Sequence, residues 1–503
     1  MSNNLTFEID SKKETISFEE IAKGIIGNDL IITTTAGKKK LIYADWIASG
    51  RLYRPIEQLL SDKFGPLVGN THSEASMVGE VMTHAYKMAQ QIIKKHVNAS
   101  SEDVIISTGS GMTSAIAKLH RILGLHIPDK ARPFFQQPAS ERPVVFLTHM
   151  EHHSNQTSWY ECEVDVVIVP PDDNLLVDPS KLEQELIKYK DRKIKIGSFT
   201  ACSNVTGIFT PYHALAKLMH RYGGWCFVDF AASAPYADIN MHPESPEEAL
   251  DAIFFSPHKF LGGPGSSGIL IFNQKLYSNK VPDQPGGGTV LWTNPWGGHQ
   301  YIDDIETRED GGTPAFLQTI KAALAVRLKE KMGTENIQHR EEELLEQALG
   351  KLLSIPGLHI LAPGTHKRLG IISFYVDDLH YNLIVRVLSD QYGIQVRGGC
   401  SCAGTYGHYL LHVTEEISNA ITGKIGTGDL SAKPGWVRLS LHPVMSNQEV
   451  DFICNAIREI VKNQKFWKGQ YTYSTATNEY YPNEGKDLHT EELNRWFNLE
   501  DEA

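Results

Sequence analysis

Between about residues 100 and 275, short and nearly continuous apolar runs alternate with longer stretches in which apolar residues recur every three or four positions. The runs Val104–Ser107, Val144–Thr148, Val164–Val169, Ile194–Phe199, Trp225–Phe230, Ala252–Phe255 and Gly268–Phe272 read as strands covered on both faces. Met112, Ile116, Leu119 and Leu123 share one face of a helix that opens after Gly111. Strands alternating with helices over this length predict an α/β fold with a mostly parallel seven-stranded sheet.

Beyond residue 320 the rhythm changes. One long helical stretch, Ile320 to about Leu352, leads into separated strands at Ile371–Val376, Ile394–Arg397 and Trp436–Leu441, and an amphipathic helix closes the pattern around Gln448–Val461. The expected organisation is an N-terminal segment (1–40), a large α/β domain (41–319), a smaller α+β domain (320–465) and a C-terminal extension (466–503). The extension is expected to dock through Trp467, Trp496 and Phe497 or to stay partly mobile.

Composition narrows the function classes. The 503 residues exceed what one core fills, and 41% hydrophobic with 21% charged residues is ordinary for a globular chain. Asp plus Glu (60) outnumber Lys plus Arg (48), for a net charge of −12, which argues against a general nucleic-acid or anionic-membrane binder. Six cysteines are too few for a disulfide framework and point to a reducing compartment. The first residues lack a signal peptide's basic and apolar regions, and no apolar run approaches the roughly 18 residues of a spanning helix. A soluble, cytoplasmic protein is expected.

The densest chemistry lies in Ser256-Pro257-His258-Lys259, which follows an apolar strand and precedes the Gly262-Gly263-Pro264-Gly265 turn. Ligands bind beyond the carboxyl ends of strands in open α/β sheets, so Lys259 would point into a ligand crevice. A desolvated lysine there can form a Schiff base with a carbonyl; a solvated surface lysine is the plain alternative. Asp229 ends the strand Trp225–Phe230, where a carboxylate can hold a ring nitrogen protonated or simply pair with a cation. Thr108-Gly109-Ser110-Gly111 joins a strand to a helix, and the helix's free N–H groups make a natural phosphate cradle.

These segments, together with Met150-Glu151-His152-His153-Ser154-Asn155, Ser203-Asn204-Val205-Thr206-Gly207, Asp310-Gly311-Gly312-Thr313-Pro314, Arg397-Gly398-Gly399-Cys400-Ser401-Cys402-Ala403 and Val437-Arg438-Leu439-Ser440, carry a resemblance. From about Tyr43 to Ile460 the chain resembles the class V aminotransferase-like, fold-type I pyridoxal phosphate enzymes, and within them the cysteine desulfurase and selenocysteine lyase group. The resemblance implies pyridoxal 5'-phosphate, with Lys259 as the Schiff-base lysine and Asp229 at the ring nitrogen. It implies His152 stacked on the ring, where it can move protons, and Asn204 near the ring oxygen and the substrate carboxylate. Ser110, Gly111, Ser256 and His258 would hold the phosphate, helped by Thr313 from the partner subunit of a homodimer. Arg438 would clamp the substrate carboxylate, a task suited to a planar bidentate donor. Cys402 matches the sulfur-accepting cysteine, displayed on a glycine-rich loop whose backbone freedom would let the thiol swing. Cys400 leaves room for a relay role, and metal ligation by the pair is disfavoured because no second ligand pair follows.

Two features depart from the desulfurase pattern. Ala232 stands where a glutamine usually follows the ring-nitrogen aspartate, and a long insertion separates Cys402 from Arg438. Both are more similar to the sulfurase domain of molybdenum-cofactor sulfurases. The leading expectation is a lyase that takes sulfur or selenium from L-cysteine or a related amino acid through a Cys402 persulfide, with a sulfur-acceptor protein as a partner. The alternatives are a class V aminotransferase, epimerase or other C–S lyase that does not use Cys402, or a scaffold that has kept the fold.

Overall fold

The seven apolar runs form one sheet because each is a strand with almost no polar side chain to leave in water. In a computed structural model, which describes residues 16–71, 74–135, 137–364, 367–484 and 490–498, they are β1 (Asp103–Thr108), β2 (Val144–Thr148), β3 (Asp165–Val169), β4 (Lys195–Thr200), β5 (Trp225–Asp229), β6 (Ala252–Phe255) and β7 (Gly268–Asn273). Their order across the sheet is β1-β7-β6-β5-β4-β2-β3. Only β7 runs against its neighbours; the remaining pairs are parallel. The carboxyl ends of β1, β2, β4, β5 and β6 therefore share one edge, and the polar segments of the sequence follow those ends.

A second, antiparallel sheet holds β8 (Leu358–Ile360), β9 (Ile371–Val376), β10 (Arg397–Gly399) and β11 (Trp436–Ser440) in the order β8-β9-β11-β10. It packs on the helices Thr334–Leu352, Tyr381–Tyr392 and Asn447–Lys462 around a core that includes Ile372, Phe374, Leu383, Val437, Leu439, Ile453 and Ile457. The last helix starts in a capping box, in which Ser446 and Glu449 satisfy each other's backbone N–H.

Three readings of the sequence need correction. The long helical stretch is two helices, Phe316–Met332 and Thr334–Leu352, broken at Gly333, whose φ of +76° suits glycine. The run Ile394–Arg397 splits: Ile394–Gln395 pairs in parallel with Ile42–Tyr43, whereas Arg397 begins β10. In the extension, Trp467 packs on the second core, but Trp496 and Phe497 stay 51% and 87% exposed. Besides Trp467, the extension docks through a hairpin, Tyr471–Ser474 with Glu479–Pro482, that the sequence reading did not include.

Candidate active site

At the shared edge of the large sheet, facing β10 and β11, lies a cavity of about 270 Å³. Ser110, Gly111, His152, Asn204, Asp229, Ser256, His258, Lys259, Cys402 and Arg438 all line it. Of the predicted site residues only Thr313 lies elsewhere, exposed after the turn at Gly311-Gly312.

One end of the cavity is an anion cradle. Gly111 caps the helix Met112–Ile122, whose first N–H groups have no intrahelical acceptor. Ser256 Oγ accepts from Met112 N at 2.8 Å, and His258 Nδ1 lies 2.8 Å from Ser110 O, so the turn and the lysine segment hold each other. A side chain at position 111 would meet His258 Cε1 at 3.0 Å and Ser256 Oγ at 3.1 Å, which explains the glycine.

The middle of the cavity carries the titratable pair. Burial pulls Lys259 down to about 8, against the attraction of Asp229. Burial likewise pushes Asp229 up to about 6, with the N–H of Ala231 at 2.8 Å acting the other way. A carboxylate this desolvated is suited to a cationic ring N–H. His152 is lowered to about 3 by burial and then by Lys259, so its ring is neutral; Nδ1 accepts from Ser154 N at 3.1 Å, which leaves the proton on Nε2. Beneath it, Glu151 accepts from Thr148 N and Oγ1, Thr200 N and Asn155 Nδ2, tying the ends of β2 and β4 together.

The far wall comes from the second sheet. Arg397 and Arg438 are directly opposite in the β10–β11 register, a like-charge pairing that is unfavourable unless offset. Asp45 offsets it: its carboxylate lies 2.9 Å from Arg438 Nη2 and 3.4 Å from Arg397 Nε. The segment carrying Asp45 is held by the Ile42–Tyr43 pairing and by Ser440 N donating to Ala44 O at 2.8 Å. Arg438 also donates to Asn204 O at 3.2 Å. Neither Asp45 nor this use of Arg397 was read from the sequence, because the partners lie hundreds of residues apart; the one available signal was a lone acid after the apolar Leu41–Ala44.

The cysteine loop also differs from expectation. Its glycines predict a freely swinging segment, yet the loop is tied: Cys402 O accepts from His153 N at 2.7 Å, Gly404 N donates to His153 Nε2 at 2.9 Å, and Ser401 O accepts from Asn204 Nδ2 at 2.7 Å. Ser401 and Cys402 themselves take left-handed φ angles of 52° and 56°, a conformation costly for non-glycine residues. Cys402 is exposed on the cavity rim and Cys400 is half-buried. Arg397 and Arg438 line the same cavity as Cys402, whereas His408 turns to Gly404 O and Ser418. Ala232, in the place of the usual glutamine, lines the cavity without a donor.

Three buried polar atoms of cavity residues have no hydrogen-bond partner among the described residues: Asn204 Oδ1, Ser401 Oγ and Arg438 Nε. Such atoms are expensive unless a ligand meets them. With the cradle, the desolvated lysine and the desolvated aspartate, the donor set fits an anionic, carbonyl-bearing heteroaromatic cofactor and a carboxylate substrate.

The aminotransferase class-V family model matches residues 42–453. A probable cysteine desulfurase of Halalkalibacterium halodurans is 28% identical over 372 residues, covering 72% of this chain and 84% of that protein. One from Staphylococcus epidermidis is 28% identical over 388 residues, covering 76% and 87%. Among solved structures, the apo cysteine desulfurase of Thermococcus onnurineus superposes with a TM-score of 0.70 at 22% identity, covering 88% of this chain and 98% of that one. The arrangement of a mostly parallel seven-stranded sheet with a smaller α+β part is thus the fold-type I arrangement. With most of its length matched by one model, the chain belongs to the aminotransferase class-V family.

Proposed function

We propose that the chain is a pyridoxal 5'-phosphate enzyme of the cysteine desulfurase kind, which takes sulfur or selenium from L-cysteine or a related L-amino acid onto Cys402. The observation that carries this reading is that Lys259, Asp229, Arg438 and Cys402 line a single cavity. Curated relatives named as probable cysteine desulfurases support it.

Ser110, Gly111, Ser256 and His258 would hold the phosphate at the helix N-terminus, with Asp229 for the ring nitrogen and His152 for the ring face. Thr313, exposed outside the cavity, would reach the phosphate of a partner subunit in a homodimer. Bound there, the cofactor supplies a carbonyl for amines and an electron sink beside the substrate Cα. Lys259 has the depressed basicity that lets a neutral amine form near neutral pH and then take the Cα proton. Arg438, with Asn204, orients the substrate carboxylate, and Asp45 holds the guanidinium in register until the substrate arrives. Cys402, as thiolate, attacks the substrate sulfur; the C–S bond breaks, its electron pair stays with the carbon skeleton, and protonation there releases alanine. The transferred sulfur remains as a persulfide until an acceptor protein or thiol takes it.

One observation favours a second reading, an aminotransferase, epimerase or other C–S lyase that does not use Cys402. Ala232 offers no donor to the ring oxygen, and the Asn204 amide N–H is engaged on Ser401 O. Incubation of the purified protein with L-cysteine, L-selenocysteine, cysteine conjugates and other L-amino acids separates the readings. Alanine with sulfide or selenide supports the first; an oxo acid, with or without sulfide, or the D-enantiomer supports the second.

A further inference from the structure

The C-terminal hairpin lies beyond the stretch matched by the family model, which ends at residue 453. It packs along the helix Tyr381–Tyr392, and its turn residue Asn478 is only 8% exposed. Asn478 takes a left-handed φ of +59°, which asparagine tolerates better than most residues. Three of its polar groups are used. Its Nδ2 donates to Tyr381 Oη at 2.7 Å, its Oδ1 accepts from Tyr473 Oη at 2.7 Å, and its carbonyl accepts from Asn382 Nδ2 at 2.6 Å.

Tyr381 leads from there to the cysteine loop. Its hydroxyl donates onward to Lys433 O at 3.2 Å, in the stretch just before β11. Its ring lies over two glycines: a side chain at Gly435 would meet Tyr381 Cε1 at 2.6 Å, and one at Gly398 would meet Tyr381 Cδ2 at 3.0 Å. Gly398 sits in β10, two residues before Cys400, and Gly435 immediately precedes β11. A second tie joins the hairpin to the insertion, where Leu430 N donates to Thr475 O at 2.9 Å. His380 stacks on Tyr381 at 4.2 Å and faces Tyr473 and Tyr480 at 5.2 and 5.4 Å, closing an aromatic cluster around the joint.

We propose that the C-terminal hairpin braces the cysteine loop, with Asn478 and Tyr381 as positioning residues that fix the roots of the loop at Gly398 and Gly435. The large-sheet side of the loop is held by His153 and Asn204, and the hairpin supplies the matching hold from the opposite side. A loop with two consecutive left-handed non-glycine residues needs such support, because each departs from its relaxed conformation. The brace acts on the loop whatever the substrate, so it stands apart from the desulfurase reading.

The test uses full-length Asn478→Gly, which keeps the backbone angle and removes the side chain, and Tyr381→Phe, which removes only the hydroxyl. Hydrogen exchange of residues 398–405 reports the loop, where Ala403 N and Gly404 N are hydrogen-bonded and have protection to lose. Each variant is expected to speed exchange there about fivefold, the scale of one lost hydrogen bond. Alkylation of Cys402 should change with it, and the double variant should be little worse than either single one. Absorbance of bound cofactor should be unchanged. Faster exchange confined to residues 471–482, with residues 398–405 and Cys402 alkylation as in the wild type, would overturn the proposal. So would effects of the two substitutions that simply add. Should Asn478→Gly not fold, Tyr381→Phe with its ring in place decides alone.

Discussion

One wall of the cavity is made of strand ends, the other of a loop and a strand pair from the second sheet, and the two are stabilised in different ways. Thr200, Asp229 and Ser256–Lys259 continue strands whose side chains are buried on both faces, so their positions follow from sheet register. Arg397, Ser401, Cys402 and Arg438 depend on contacts made at great sequence distance, through Asp45, His153, Asn204 and Tyr381. Under the proposed function, the difference separates cofactor holding from substrate handling. The first wall presents a cradle and a desolvated lysine–aspartate pair; the second presents charge and a thiol whose placement other residues must maintain.

Substitutions in the first wall should therefore remove the cofactor or its chemistry, and those in the second should spare it. The largest effect is expected for Lys259→Ala. It should lower turnover by about 10³-fold, and borohydride reduction followed by peptide mapping should no longer find a pyridoxyl adduct at residue 259. Arg438→Lys replaces a bidentate fork by a point charge and should raise KM for an amino-acid substrate roughly tenfold to a hundredfold, with cofactor affinity nearly unchanged. Equal loss of both affinities would erase the distinction between the walls.

Asp45→Asn sharpens it further. Two opposed guanidinium groups, of which Arg438 is buried, would then lack their carboxylate counter-ion, which should cost about 3 kcal/mol of stability in thermal or denaturant unfolding. A simple carboxylate such as propionate should restore more stability to this variant than to the wild type, because it supplies the negative charge that the two guanidinium groups have lost. The smallest effect concerns pH. Since the cofactor-free Lys259 is lowered to about 8, the rate at which apo-protein takes up pyridoxal phosphate should climb as pH rises through about 8 and level off above it. A rate that climbs only near the ordinary lysine value would mean that the amine is not desolvated.

The same division explains what could be read from the sequence. All seven strands of the large sheet were legible because buried parallel strands are written as continuous apolar runs, and the polar residues after them fell at the ligand edge. The second wall was legible only in part. Arg438 stood out as a charge in an apolar strand, but the counter-ion Asp45 joins it through a pairing that no local pattern encodes. The glycines at 398, 399 and 404 suggested freedom; two of them instead admit the Tyr381 ring and His153, and freedom is what the loop's hydrogen bonds remove. The hairpin at 471–482 has too few alternating apolar residues to announce itself, since it is held by tyrosine and asparagine hydrogen bonds more than by an apolar face.

The most direct test of the account is to let wild-type protein and Cys402→Ala turn over L-cysteine and to map the sulfur by mass spectrometry of alkylated peptides. The wild type is predicted to carry a persulfide on Cys402 and to release alanine and, with reductant, sulfide. Cys402→Ala is predicted to bind cofactor and substrate with normal spectra but release no sulfide. Undiminished desulfuration by Cys402→Ala, or a persulfide found only on Cys400, would contradict it.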